Sequence, residues 1–449
     1  MNAAASESIS ILQIGTLMPK YKSVLSLLLL LTVIVSCNQK ELGSTHTPTV
    51  YVKNTDKGHT LIKDGKPFFV KGVGGYNHLK ELKEIGGNTV RIYDTINLSA
   101  KLDRLDSLGL AAVVDLHLPR YRGEGDKLYA DAAKVLRLKE RIKKTITTHR
   151  NHPALLFWML GNEVYYPTYF GNPFIEVFND LLKTIHEEDL NHPVSTTVSS
   201  SGLRKLPIIW WKSSELDFLS INNFGSLPEF QERKKLLFFW SKPFLISEWG
   251  IHGPWESNLT SWDAPIEISS TQKANIYKDY YQKYIAPMND PRFLGSMVFY
   301  WGQKQERTHT WFSLFTREGQ KTQTVYELDH IWNRTHIPFK GVQIKSLEIG
   351  GKRAKENVIL VAEDSYEAKV SLEKPLKNNR IKWEIKQENW NIMPHTIEEE
   401  PSNVLGPFLN NKENLSFKAP RQRGPYRLFV EIEDSNGYVA TANVPFYVL

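Results

Sequence analysis

Glu163 in FWMLGNEVYYP and Glu248 in FLISEWG each stand directly behind an uncharged, mostly apolar run. Such runs read as buried strands, so both carboxylates fall where a strand ends and a loop begins. Two carboxyl groups facing one another across an opening suit acetal cleavage: one, protonated, assists the departing oxygen, and the other, ionised, attacks or activates water. Either glutamate alone fits a helix cap or a surface ion pair equally well. The matched placement of two points to chemistry.

The elements that must carry them repeat along the chain. A turn at Asp64-Gly65 precedes a strand expected over residues 67–73; HLKELKEIGG then leads into NTVRIYD, LDRLDSLGL into AAVVDLHLP, and a helix expected over residues 130–148 into PALLFWMLGNE. Later cycles end in PVSTTVSS, DFLSINNFG, KPFLISEWG and FLGSMVFYW. Eight apolar strand candidates separated by helical stretches predict a parallel sheet closed as a (β/α)8 TIM barrel, here over residues 59–338. From about Gly341 the pattern turns to alternation, in VILVAED, AKVSLEK, RIKWEIKQE, YRLFVEIED and TANVPFYVL, with a hairpin signal at Ser435-Asn436-Gly437. That predicts an immunoglobulin-like β-sandwich over residues 339–449.

Barrel enzymes work at the C-terminal ends of their strands. Those ends offer Tyr76 and Asn77, Arg91 and Asp94, His117 and Arg120, Asn162 and Glu163, Asn222 and Asn223, Glu248 and Trp249, and Trp301 and Gln303. Trp311, in the loop that follows, is either a core residue or a stacking face for a sugar ring, and Trp249 and Trp255 flank Glu248 with the same two options. His117 is either a substrate contact or a structural histidine. No metal-ligand spacing is present and no cofactor is expected. GVGGYN imitates part of a dinucleotide fingerprint but lacks the third glycine.

WMLGNE and FLISEWG resemble the strand-four and strand-seven motifs of the clan A glycoside hydrolases, most closely the family 2 catalytic domain. GGNTVRIYD and FLGSMVFYWG are similar to that domain's second and eighth strand segments. The resemblance implies Glu163 as acid/base, Glu248 as nucleophile, Asn162 on the sugar 2-hydroxyl, Arg91 supporting Glu248 and keeping it ionised, and Trp301 flooring the subsite of the reacting sugar. Asn222, Asn223, Trp249, Trp311 and His117 complete the expected substrate-binding set, and hydrolysis with retention is the expected outcome. One departure stands out: many members carry a tyrosine after strand six, where this chain has Phe224. Asn223 or another tyrosine then has to replace its contact with the nucleophile, or activity is altered. A barrel followed by a sandwich also resembles the family 158 endo-β-1,3-glucanases, which suggests a β-linked glucan and leaves galactan and mannan open. A transglycosylase using the same glycosyl-enzyme, and a glycan-binding protein without turnover, are the rival readings.

The one cysteine among 449 residues excludes an internal disulfide framework, and it follows a telling run. Lys20 and Lys22 precede an apolar stretch from Val24 to Val35, and V-S-C ends at Cys37. This resembles a bacterial lipoprotein signal, with Met18 as a better start than Met1. On that reading residues 1–37 are signal, Cys37 is acylated, residues 38–58 are a tether, and the protein is a monomer lipid-anchored at the cell envelope. The net charge of +7 is spread without a basic block, which argues against nucleic acid as partner.

Overall fold

The computed structural model describes residues 48–449 apart from 57, 120–123, 168–171, 336, 376–378, 389–403 and 410. The expected signal and Cys37 lie outside the described residues, as does Arg120.

Part of the expected tether is folded. Strand β1 (Val50–Thr55) pairs antiparallel with β2 (Gly58–Lys63), which pairs with β3 (Lys66–Phe68). Val50 and Leu61 are buried while Lys53 and Asn54 face water, an alternation that the polar residues of the segment disguise. The strand expected over residues 67–73 is therefore two: β3, where Pro67 sits on a sheet edge, and β4 (Val70–Gly74), the first strand of the barrel.

After β4 the barrel continues through β5 (Thr89–Ile92), β6 (Ala111–Leu116), β7 (Leu155–Leu160), β8 (Val194–Ser199), β9 (Phe218–Asn223), β10 (Phe244–Trp249) and β11 (Phe293–Val298). All eight are parallel, and β11 closes on β4. Alternate residues turn inward and outward, which sorts the apolar side chains into two cores. Val113, Met159, Phe218, Leu245 and Met297 fill the barrel; Val90, Val114, Trp158, Ile221 and Ile246 pack under the surrounding helices. The helix expected over residues 130–148 runs Ala132–His149, capped by the Asp131 carboxylate on the Ala133 and Lys134 amides.

Two packed sheets follow. Strands β13 (Ile344–Ile349), β15 (Ser365–Leu372) and β18 (Asn414–Lys418) form one, and β16 (Arg380–Gln387), β17 (Val404–Leu409), β19 (Gly424–Glu433) and β20 (Tyr438–Val448) the body of the other. The short β12 (Lys321–Thr322), on the barrel side, and β14 (Val358–Leu360) both pair with β20. Leu347, Val370 and Phe417 from the first sheet meet Trp383, Leu428 and Val444 from the second in one core.

The sandwich is joined to the barrel by buried polar bonds. Glu267, 5% exposed, accepts from Thr308 Oγ1 at 2.6 Å, Thr310 Oγ1 at 2.9 Å and Asn443 Nδ2 of β20 at 2.7 Å, and pairs with the buried Lys273. Arg427 of β19 donates to the Pro265 carbonyl at 2.8 Å and to Asn443 Oδ1 at 2.7 Å. Thr308 and Thr310 belong to the loop after β11, so β20 helps to fix a loop at the catalytic end of the barrel.

Candidate active site

Strand β5 reads T-V-R-I, followed by Tyr93, so Thr89, Arg91 and Tyr93 share the inward face. Arg91 is fully buried and reaches five other strands or their ends, Thr197 of β8 included at 3.4 Å. Its Nε and Nη2 make a paired contact with Asp115 of β6 at 3.0 and 2.8 Å; Nη1 donates to Glu248 Oε1 at 2.8 Å; Nη2 also reaches Asn162 Oδ1 at 2.9 Å. Nη1 lies 3.5 Å from Asn222 Oδ1. The planar fork of arginine grips one carboxylate with two nitrogens while a third holds another, a bidentate geometry that a lysine ammonium does not offer.

Asn222, at the end of β9, joins Glu163 to the arginine that holds Glu248. Its Nδ2 donates to Glu163 Oε1 at 3.0 Å and to Asn162 Oδ1 at 3.2 Å, while its Oδ1 accepts from Ser247 Oγ at 2.9 Å. With Oδ1 taken by Arg91 and Asn222, the group Asn162 can offer a ligand is its Nδ2 donor. Glu163 is half-buried and adopts φ +48, left-handed for a non-glycine residue, shortly after Gly161 at φ +76. A side chain held in that region is strained, and such strain concentrates where geometry serves function.

The hydroxyl of Tyr93 donates to Glu248 Oε1 at 3.1 Å. Phe224 packs instead against Phe299, Phe312 and Trp255. The tyrosine on Glu248 thus comes from the second strand rather than the sixth, and the two-residue spacing of Arg91 and Tyr93 on one strand face was the signal for it. Asp115 was also missed, although a single charge inside the apolar run AAVVDL marks it.

Burial pushes the Glu248 carboxyl up, to about 8; Arg91 pulls it down, and the negative charge of Glu163 raises it again. The expectation that Arg91 keeps Glu248 ionised is corrected for the unliganded site, because one guanidinium is divided between Glu248 and Asp115 and does not offset full desolvation. Asp115 is likewise raised by burial, against the pull of Arg91. Tyr93 is driven well above its ordinary range, first by burial and then by Glu248, so its hydroxyl remains a donor. Tyr93→Phe is expected to lower kcat roughly 10- to 100-fold, the range for a hydrogen bond to a charged group. It should also move the acidic limb of kcat/KM, expected near pH 8, to higher pH, because the bond it removes favours ionised Glu248. An unchanged limb in a pH-rate profile contradicts this role.

Arg91, Asn162, Glu163, Asn222 and Glu248 meet in one network. Five other expected substrate residues do not join it. Asn223 and Trp249 each follow an inward residue and fall on the outward face, where Asn223 is 1% exposed and Trp249 packs on Tyr277 and Tyr281. Trp301 is fully buried against Phe315 and donates Nε1 to the His78 carbonyl; Trp311 is 2% exposed and donates to the His252 carbonyl. None of these indoles presents a face on which a sugar could stack. His117 is exposed at the end of β6 and makes none of the cluster's hydrogen bonds. The aromatic faces near Glu248 are Tyr300, stacked 6.4 Å from Tyr93, and Trp255, 61% exposed beside Phe224. Among the described residues no cluster of histidine, cysteine and carboxylates has metal-binding geometry.

An eight-stranded parallel barrel with two glutamates around a buried arginine at its C-terminal rim defines a barrel of the glycoside hydrolase type. Residues 102–334, just over half of the chain, match the model of the glycosyl hydrolases family 2 TIM barrel domain, and the chain belongs to that family. It is 25% identical over 122 residues to a β-glucuronidase of Bacteroides fragilis, a match covering 27% of this chain and 17% of that protein. Among solved structures it is similar to Bacteroides uniformis β-glucuronidase, at 16% identity and TM-score 0.47 over 89% of this chain and 48% of that one. It is also similar to the β-D-glucuronidase of Dictyoglomus thermophilum, at 16% identity and TM-score 0.48 over 64% and 54%. The chain thus spans about half the length of these structures and under a fifth of the curated relative.

Proposed function

We propose that the protein hydrolyses β-linked glycosides by double displacement, with Glu248 as nucleophile and Glu163 as acid/base. The observation that carries this is the continuous set of hydrogen bonds from Glu248 through Arg91 and Asn222 to Glu163. Ionised Glu248 attacks the anomeric carbon while Glu163 gives its proton to the departing oxygen; Glu163 then takes a proton from water, which releases the sugar from Glu248. Asn162 donates to the 2-hydroxyl, where a hydrogen bond strengthens as the ring becomes positive.

The charge balance favours a neutral sugar at the reacting position, with β-1,3-glucan the first candidate. Asp115 and Glu248 already share one guanidinium and Glu163 stands close to Glu248, so a uronic acid would add a fourth carboxyl group. Lys304, on the loop after β11, is matched by Glu306 at 3.6 Å. We place the protein at the cell envelope, held by a lipid on Cys37.

A panel of β-glucans, galactan, mannan and β-glucuronides, read by reducing ends, tests the substrate. Glu163→Gln tests the chemistry: on a substrate with a good leaving group it should still form the glycosyl-enzyme, and added azide should restore turnover as the β-glycosyl azide. An α-azide product, or no rescue on any cleaved substrate, removes Glu163 from the acid/base role.

A further inference from the structure

The helices and their 3-10 extensions run from the catalytic rim back toward the N-terminal ends of the strands, so their last residues lie on the lower face of the barrel. The helix Leu206–Lys212 ends there in Trp210, Trp211 and Lys212, and the 3-10 turn Lys234–Phe239 ends there in Phe238. Trp210 is 49% exposed, Trp211 58% and Phe238 86%. Lys242, just beyond the second element, donates to the carbonyls of Ser214 and Leu216, just beyond the first, so the two ends lie side by side. Large aromatic side chains exposed together in this way mark an interaction surface.

Three observations say what meets it. The segments 206–217 and 233–242 carry five lysines and arginines against two acidic residues, Glu215 and Asp217. Lys212 Nζ lies 4.2 Å from the centre of the Trp211 ring, an indole with a cation over it. The described chain begins beside the patch: Pro48 and Val50 line a cleft of about 470 Å³ with Leu190, Asp217, Lys242 and Pro243, and the Val50 amide donates to the Asn191 carbonyl. Between Cys37 and Pro48 stand only residues 38–47, which reach at most about 35 Å when fully extended. A lipid on Cys37 would keep the bilayer within that reach of this face.

We propose that Trp210, Trp211 and Phe238, with Lys212, Lys235 and Lys242, form a docking face for an anionic phospholipid surface, which holds the barrel with its catalytic mouth turned away from the membrane. The inference rests on the lipid-anchor reading for its geometry, but the face itself can be tested without the lipid. Indole and phenyl rings enter the headgroup region while lysines above them meet lipid phosphates, so this face sets an orientation that a lipid on one residue does not.

Residues 48–449 form one compact unit with its own cores, so a form spanning residues 38–449 serves as the probe. It should sediment with vesicles of phosphatidylethanolamine and phosphatidylglycerol, more weakly as salt rises, and brominated lipids should quench its tryptophan fluorescence. Trp210→Ala, Trp211→Ala and Phe238→Ser together should weaken vesicle binding at least about tenfold while the circular dichroism and melting temperature stay unchanged. The inference is overturned if the 38–449 form ignores the vesicles, if the triple variant binds as well as its parent, or if the substitutions instead abolish binding to an insoluble polysaccharide or a self-association seen in sedimentation. Loss of palmitate labelling in full-length Cys37→Ala tests the anchor separately; absence of label in the parent would defeat the anchor and leave the vesicle result standing on its own.

Discussion

Glu248→Gln is expected to lower turnover by roughly 10⁴-fold or more, the scale seen when a covalent nucleophile is removed, and to make the protein more stable in alkaline buffer. The second effect follows from burial. The carboxyl is 5% exposed and burial raises it to about 8, so the folded protein holds its proton more tightly than the unfolded chain does. A raised carboxyl contributes stability that is complete below the ordinary value of 4.5 and is lost as the pH climbs toward 8. Glutamine has no proton to lose. The variant should therefore come close to its parent near pH 5 and exceed it by on the order of 5 kcal/mol near pH 9. Denaturant melts at the two pH values read the difference directly; a gain of equal size at both would show that burial of Glu248 carries no charge penalty.

Arg91→Met should be the most damaging single change in the barrel. The guanidinium is fully buried and is shared by Asp115 and Glu248. Removing one partner of a buried ion pair leaves the others without compensation, at a cost of about 3–5 kcal/mol. Here two carboxyl groups lose their shared partner, and Asn162 keeps only the Asn222 amide as a donor. The remaining carboxyl groups would stay protonated to higher pH, so the loss of stability should shrink in acid and grow above neutrality. Turnover should fall about 10³-fold even in molecules that stay folded, because Glu248 is no longer drawn toward its ionised form. A variant as stable as its parent at pH 7 would mean that the arginine does not organise the site.

The barrel was legible because most of its strands are apolar runs followed by polar residues and separated by helical stretches, a cycle that few other folds repeat eight times. The inward members of the site were legible where that polar residue followed the run, as with Asn162, Glu163, Asn222 and Glu248. The tryptophans misled for a physical reason. Size and aromaticity suit a sugar face, but Trp249 lies one position past an inward glutamate, and a period of two sends it under a helix. Trp301 and Trp311 fail differently: their rings are held by chain that is distant in sequence, the His78 and His252 carbonyls respectively. The raised carboxyl of Glu248 was illegible for a related reason. Sequence revealed the arginine beside it, but not that Asp115 claims two of that arginine's nitrogens. The folded part of the tether, Val50–Thr55, was hidden because an edge strand with one wet face carries as many polar residues as a linker.

The bonds made by Glu267 bear on how this architecture can be rearranged. An appended module can be exchanged for another at a flexible joint, and its host keeps working. This sandwich supplies Asn443 and Arg427 to a buried knot that also holds Thr308 and Thr310. Any substitute would have to present an amide and a guanidinium at the same register, so the two halves of the molecule are constrained to be inherited together.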